Sequence, residues 1–195
     1  VAYVDDILIP TDGEWHDHLR DVGLVFDRLI AAGFTVNPKK VFIGMREVPY
    51  LGYLVGAYGT RPNPERTKAI FDMSFEQIRT DAAAAARFSG MIAFYSRFLK
   101  NLHITLAPFH ALKAKHANVH EILNSLKLRA SFEVLRNQLA DVTALTRPDY
   151  SKDFHVVVDT ASSVGMGATL MQLEDVSDPT SLRPVAFWSH RLNEN

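Results

Sequence analysis

The chain has 195 residues, 47% of them hydrophobic and 22% charged, a balance that excludes wholesale disorder and allows one medium domain or two small ones. It has no Cys, which excludes disulfides, thiolate zinc sites and a cysteine nucleophile, and its apolar runs fall far short of the roughly 18 residues of a spanning helix. The net charge of −1, taken alone, argues against a basic nucleic-acid binder.

That total conceals a gradient. Residues 1–60 carry 5 basic and 8 acidic side chains, residues 61–116 carry 9 and 4, and residues 117–195 carry 7 and 10. A basic middle between two acidic ends says more about partners than the sum does. The chain opens at Val1 inside an apolar run and stops at Asn195 in a polar stretch. The expectation is a piece of a longer polypeptide.

Residues 1–4 and 7–9 are β-prone runs around Asp5-Asp6 and read as a hairpin with an acidic tip. Thr11-Asp12-Gly13 is a turn and helix-start signal. Over residues 14–32, Leu19, Val22, Val25, Phe26, Leu29 and Ile30 recur at helical spacing, and Gly33 ends the pattern. Residues 34–36 and 41–43 read as strands around Asn37-Pro38. Residues 48–55, with Gly52 inside, read as strand, tight turn, strand. Arg61-Pro62-Asn63-Pro64 marks a boundary, because two prolines exclude helix and central strand.

Residues 65–73 and 74–80 read as short helices. Asp81 caps a long helix expected over 82–102, where an alanine run of high propensity leads into a stripe of Phe88, Met91, Ile92, Tyr95, Phe98 and Leu99. Residues 108–115 form another short helix. Residues 121–139 form an amphipathic one, with Leu123, Leu126, Phe132, Leu135 and Leu139 inward. After Arg147-Pro148-Asp149 the pattern turns to strands at 154–158, ending at Asp159, then 165–172 and 184–189.

Tyr3-Val4-Asp5-Asp6 is the sharpest chemical signal. Adjacent carboxylates repel unless a cation compensates them, and strand alternation would send them to opposite faces. Hard carboxylate oxygens suit Mg²⁺, which takes one or two of them together with substrate phosphates.

The run Val1-Ala2-Tyr3-Val4-Asp5-Asp6-Ile7-Leu8-Ile9 resembles the Tyr-x-Asp-Asp hairpin of reverse transcriptases, and the motifs after it keep the order of Ty3/gypsy-type long-terminal-repeat retrotransposon Pol polyproteins. Trp15-His16-Asp17-His18-Leu19 is similar to the helix after that hairpin, Gly33 to Phe42 to the next palm motif, and Tyr50-Leu51-Gly52-Tyr53-Leu54-Val55 to the primer-grip hairpin. Residues 88–99 resemble the thumb helix. Residues 147–154 resemble the tether into ribonuclease H. Val158-Asp159-Thr160-Ala161-Ser162 with Gly165, Gly167 and Gln172 resembles the first hairpin of that domain, and Pro184 to Asn193 its third strand. Departures are the alanines at 82–86, Ser89, and Thr160 where Ala is usual.

The resemblance implies an α+β fold with a partial palm over 1–60, a helical thumb-like segment over 61–116, a connection over 117–150, and the first strands of a ribonuclease H-like mixed sheet over 151–195. It implies template-directed nucleotidyl transfer assisted by Mg²⁺ or Mn²⁺, with Asp5 the more direct ligand and Asp6 its neighbour. Tyr3 would lie beneath the primer end, Lys40 (or Lys39) near the leaving phosphate, and Leu51, Gly52 and Tyr53 on the primer backbone. Arg87, Arg97 and Lys100, within the basic middle, would meet phosphates, while Tyr95 and Phe98 belong to the core. Asp159 would be the first carboxylate of a two-metal ribonuclease H site.

The implied partners are a primed RNA or DNA template, an RNA–DNA hybrid, dNTP and the rest of the Pol polyprotein, with no membrane. The implied place is an intracellular, cytoplasmic particle with a nuclear phase. By the same logic the polymerase needs a palm aspartate before Val1 and the ribonuclease H site needs acids after Asn195, so the isolated chain is expected to be inactive. Two alternatives stand beside this one: a non-catalytic nucleic-acid-binding remnant of a decayed retroelement, and an unrelated metal-binding interaction domain. An open frame encoding those acids in the flanking sequence distinguishes the first reading from both.

Overall fold

The computed structural model describes residues 1–142, 144–161 and 165–191. The chain divides into two compact units, Val1–Ala57 and Tyr58–Asn195. The fold is α+β.

The first unit opens on a very short antiparallel hairpin, β1 (Ala2–Tyr3) and β2 (Asp6–Ile7). Its register pairs Ala2 with Ile7 and Tyr3 with Asp6, and Leu8 N–H donates to Val1 O just beyond. Helix α1 (Trp15–Ala31) comes next. Its first turn is closed by the Glu14 N–H donating to the Asp17 carboxylate at 3.1 Å, one residue later than the Thr11-Asp12-Gly13 signal. Gly33, at φ 80°, ends it in the left-handed region that glycine enters at least cost. Of the expected apolar stripe only Val22 is buried, while Leu19 and Ile30 are exposed.

Residues 34–36 and 41–43 are not strands. Pro38–Lys40 forms a 3₁₀ turn, capped by Asn37, whose side-chain oxygen accepts from Lys39 N–H. A β-prone run needs a partner edge to become a strand, and neither run has one among the described residues. The hairpin β3 (Glu47–Tyr50) and β4 (Tyr53–Gly56) forms as expected, with Tyr50 paired to Tyr53 across Leu51-Gly52.

In the second unit, β5 (Gly59–Pro62) exchanges backbone hydrogen bonds with Leu145 through Thr60, at 2.9 and 2.8 Å. Pro62 thus closes a short strand and Pro64 opens a helix, both permitted positions for proline. Helices α2 (Pro64–Phe71), α3 (Phe75–Thr80) and α4 (Ala82–Ala93) are capped by Asn63, Ser74 and Asp81, whose side chains accept from Glu65, Gln77 and Ala83 N–H.

The expected long helix stops at Ala93. Phe94 to Ser96 are poor helix formers, and a 3₁₀ turn over Ser96–Phe98 with Asn101 at φ 54° redirects the chain. Tyr95, Phe98, Leu99, Leu102 and Leu106 keep a helical spacing and are all buried, yet the chain reaches the core along this bent path. The short helices α5 (Leu102–Thr105) and α6 (Ala107–Ala111) lie beyond it. The helix expected over 121–139 is two, α7 (Val119–Leu123) and α8 (Leu126–Ala140), divided where Ser125 accepts from Leu128 N–H and caps the second. Leu126, expected inside, is exposed at this first turn, and Leu128 is buried instead.

The core of this unit is aromatic at its centre. Phe88 of α4 packs on Phe132 of α8 and Phe109 of α6, with ring centroids 4.8 and 5.3 Å apart, and Phe75 meets Phe132 at 5.6 Å. Ile70, Ile78, Ile92, Leu128 and Leu135 complete it. The remaining elements are β6 (His155–Ala161), β7 (Gly165–Leu173) and β8 (Leu182–Arg191), an antiparallel sheet in chain order. Its register shifts between Leu170 and Met171, opposite Pro184, where a bulge accommodates the missing N–H.

Candidate metal and nucleic-acid sites

The first hairpin differs in one respect from its reading in the sequence. The two-residue turn is Val4-Asp5, and Asp6 is already the first residue of β2, opposite Tyr3. Strand alternation therefore does not govern the pair. Directly opposed residues of an antiparallel pair share a face, so Tyr3 and Asp6 stand together while Asp5 projects from the tip. Val4 sits at φ 53°, a region that a β-branched side chain enters only under strain. Both carboxylates are exposed, and neither forms an ion pair among the described residues.

The second hairpin repeats the device. Leu51 at φ 50° and Gly52 at φ 85° both lie in the left-handed region, as a two-residue turn of the kind that matches strand twist requires. Gly52 accepts this freely, whereas Leu51 does so at a cost. Lys39 and Lys40 are exposed in their 3₁₀ turn.

In the second unit Asp159 lies inside β6, two residues before its end, and not at a strand terminus. It pairs with Gly167 of β7, which pairs in turn with Ser189 of β8. Lys100 Nζ stands 3.8 Å from Asp159 Oδ2, and Asn101 Nδ2 donates to the same oxygen at 3.4 Å. Two residues assigned to different roles, Lys100 and Asp159, are thus brought together. Nothing in the sequence reading singled out Asn101. Its only local signal is the tolerance of asparagine for the left-handed region.

Among the other basic side chains, Arg87 and Arg97 are exposed, with the Arg97 guanidinium 5.7 Å from the Phe98 ring centroid. Arg79 is engaged with Glu76. Tyr95 and Phe98 are buried, as expected of core residues. Gln172 is a buried tie between the sheet and residues 149–152. Its Nε2 donates to the backbone oxygens of Asp149 and Lys152 at 2.7 and 3.2 Å, and its Oε1 accepts from Asp149 N–H at 2.8 Å. Ser151 N–H and Oγ donate to the Asp149 carboxylate and hold it below the usual carboxylate range. Ser162, Leu192 and Asn193 of the quoted motifs lie outside the described residues.

The donor chemistry at both places fits a hard divalent cation, since it consists of exposed carboxylates. Among the described residues no three His, Asp or Glu gather as a complete cage. The fit is to an ion that takes one or two protein carboxylates and fills its remaining positions from water and phosphate.

Residues 126–195 match the family described as the RNase H-like domain found in reverse transcriptase. The chain is 33% identical over 182 residues to the retrovirus-related Pol polyprotein from transposon gypsy of Drosophila melanogaster, covering 88% of this chain and 17% of that protein. It is 28% identical over 201 residues to the Pol polyprotein from transposon opus of the same fly, covering 99% and 19%. It superposes on the foamy viral protease–reverse transcriptase in complex with RNA/DNA hybrid with a TM-score of 0.76 at 20% identity, over 99% of this chain and 25% of that one. At that identity the likeness establishes the fold. The chain is thus similar over most of its length to retrovirus-related Pol polyproteins of fly transposons, and over residues 126–195 to the RNase H-like domain found in reverse transcriptase. It spans less than a fifth of the length of these two curated relatives.

Proposed function

We propose that this chain supplies the end of the palm, the thumb and the opening strands of ribonuclease H to an RNA-directed DNA polymerase that copies retroelement RNA and cuts the RNA of the resulting hybrid. The observation that carries the proposal is the first hairpin, in which a strained valine turn holds two unpaired carboxylates and a tyrosine at one tip. Strain at a hairpin tip persists where function selects the residue over the easier one. The same holds at Leu51, where asparagine or glycine would fit the turn better.

In this reading Asp5 and Asp6 hold one divalent site and Asp159 contributes to another. When bound, Mg²⁺ or Mn²⁺ would neutralise phosphate charge and make the attacking hydroxyl or water a better nucleophile. The side chains of the chain position the reactants. Tyr3, opposite Asp6, offers a flat face to the last base pair of the primer. The open turn at Gly52 admits a close backbone approach by the primer strand. Lys40 offers a mobile cation to the leaving phosphate. Arg87 and Arg97 meet the hybrid backbone without reading its sequence.

Catalysis needs the rest of the polyprotein, so the isolated chain binds nucleic acid without extending a primer. A Pol segment including this chain and its flanking regions is expected to extend a primer in Mg²⁺, and Asp5→Asn to abolish extension while leaving hybrid binding in place. Primer extension by the isolated chain, or full extension by the Asp5→Asn segment, would refute the assignment.

A further inference from the structure

The corner between the aromatic turn and α5 meets the Asp159 carboxylate with an ion pair and a hydrogen bond. Lys100 Nζ is 3.8 Å from Oδ2, and Asn101 Nδ2 reaches the same oxygen at 3.4 Å. The corner is anchored on both sides. Leu99 and Leu102 are each 1% exposed, and the next backbone N–H, that of His103, donates to Ser189 Oγ on β8 at 3.0 Å. Asn101 itself lies flat on β7, because a Cβ placed on Gly167 would come within 2.0 Å of its Oδ1. Gly167 is the register partner of Asp159, so the absence of a side chain there is what lets the corner reach the carboxylate.

We infer that Lys100 is a built-in counter-cation for Asp159, held there by the Asn101 corner, that competes with a divalent ion for Oδ2. The inference rests on the reading of Asp159 as a metal ligand. An ion such as Mg²⁺ sits about 2.0–2.1 Å from its oxygen ligands, and an ammonium on the same oxygen repels it. Metal binding therefore moves Lys100 off the carboxylate. Removing the ammonium strengthens metal binding by no more than an exposed ion pair is worth, about fivefold at most. Lys100 acts on the metal through Asp159 and is a positioning residue.

The test uses the whole 195-residue chain, labelled with ¹⁵N and titrated with Mn²⁺, whose paramagnetism broadens nearby amide signals. The readout is the Mn²⁺ concentration at half-broadening of the Asp159 and Gly167 amides. Lys100→Gln is expected to lower that concentration about two- to fivefold. Lys113→Gln, at an exposed lysine on another segment, is expected to leave it unchanged, and Asp159→Asn to abolish site-specific broadening. Broadening at Gly167 that survives Asp159→Asn would overturn the metal reading itself. Broadening that depends on Asp159 but is unmoved by Lys100→Gln, or is moved equally by Lys113→Gln, would overturn the counter-cation and leave the metal reading intact.

Discussion

His110 shows how one side chain records its surroundings. Burial between α6 and its neighbours disfavours the charged imidazolium, and Lys113, His103 and Arg191 add like charge, so its pKa lies below the ordinary histidine value. The unfolded chain therefore takes up this proton at a higher pH than the folded one. The contribution of His110 to stability is complete above the ordinary histidine pKa and is lost as pH falls from there toward the folded value. The melting temperature is expected to drop as pH falls through the histidine range, and the drop to shrink in His110→Gln; an unchanged drop would assign it to other groups. Gly59 is a second case. Its φ of 119° is open to few other residues, and a Cβ there would lie 2.0 Å from the backbone oxygen of Leu145, the residue that Thr60 pairs with. That glycine is required by the backbone around it, and no property of the residues beside it in sequence reveals the need.

At the scale of elements, the cap at Asp81 and the stop at Gly33 were legible, whereas the start of α8 at Leu126 and the end of α4 at Ala93 were not. Asn63, Ser74 and Asp81 each satisfy an orphan N–H a few residues ahead, an interaction complete within one turn. The end of α4 is set by the 3₁₀ turn at Ser96–Phe98 and the left-handed Asn101, which the unbroken helical spacing of Tyr95, Phe98, Leu99, Leu102 and Leu106 does not reveal. The turn of the second hairpin is local again and open to measurement. Leu51→Asn replaces a residue strained at φ 50° with one that tolerates that conformation. It is expected to stabilise the hairpin by about 0.5–1 kcal/mol, read as a higher urea midpoint with an unchanged slope. A lower midpoint would mean that the packing of Leu51 outweighs its backbone strain.

At the scale of the whole molecule, the charge gradient becomes a statement about binding. The acidic stretches contain the carboxylates of the two candidate metal sites, and the basic middle presents Arg87 and Arg97 to solvent. Affinity for an RNA–DNA hybrid is expected to fall linearly with salt on logarithmic axes. The double variant Arg87→Gln, Arg97→Gln should reduce that slope by about one unit per arginine while weakening binding to all sequences alike. A slope unchanged by the double variant would remove both arginines from the phosphate surface. Not every basic residue of the middle is available, since Arg79 pairs with Glu76 and Lys100 faces Asp159.

By itself the sequence determined that tight hairpins form around Asp5 and at Leu51-Gly52, that Asp81 caps a helix, that Tyr95 and Phe98 are buried, and the collinear motifs that resemble those of gypsy-type Pol polyproteins. These arise from interactions a few residues long, or from residue types in a set order. Tertiary structure alone decided that residues 34–36 and 41–43 stay irregular, that the helix begun at Ala82 ends at Ala93, and that Asp159 lies within its strand beside Lys100 and Asn101. Asn101 and Asp159 are separated by 58 positions. Their meeting depends on a left-handed corner, a glycine across the sheet and a buried turn acting together, and no local pattern encodes that combination.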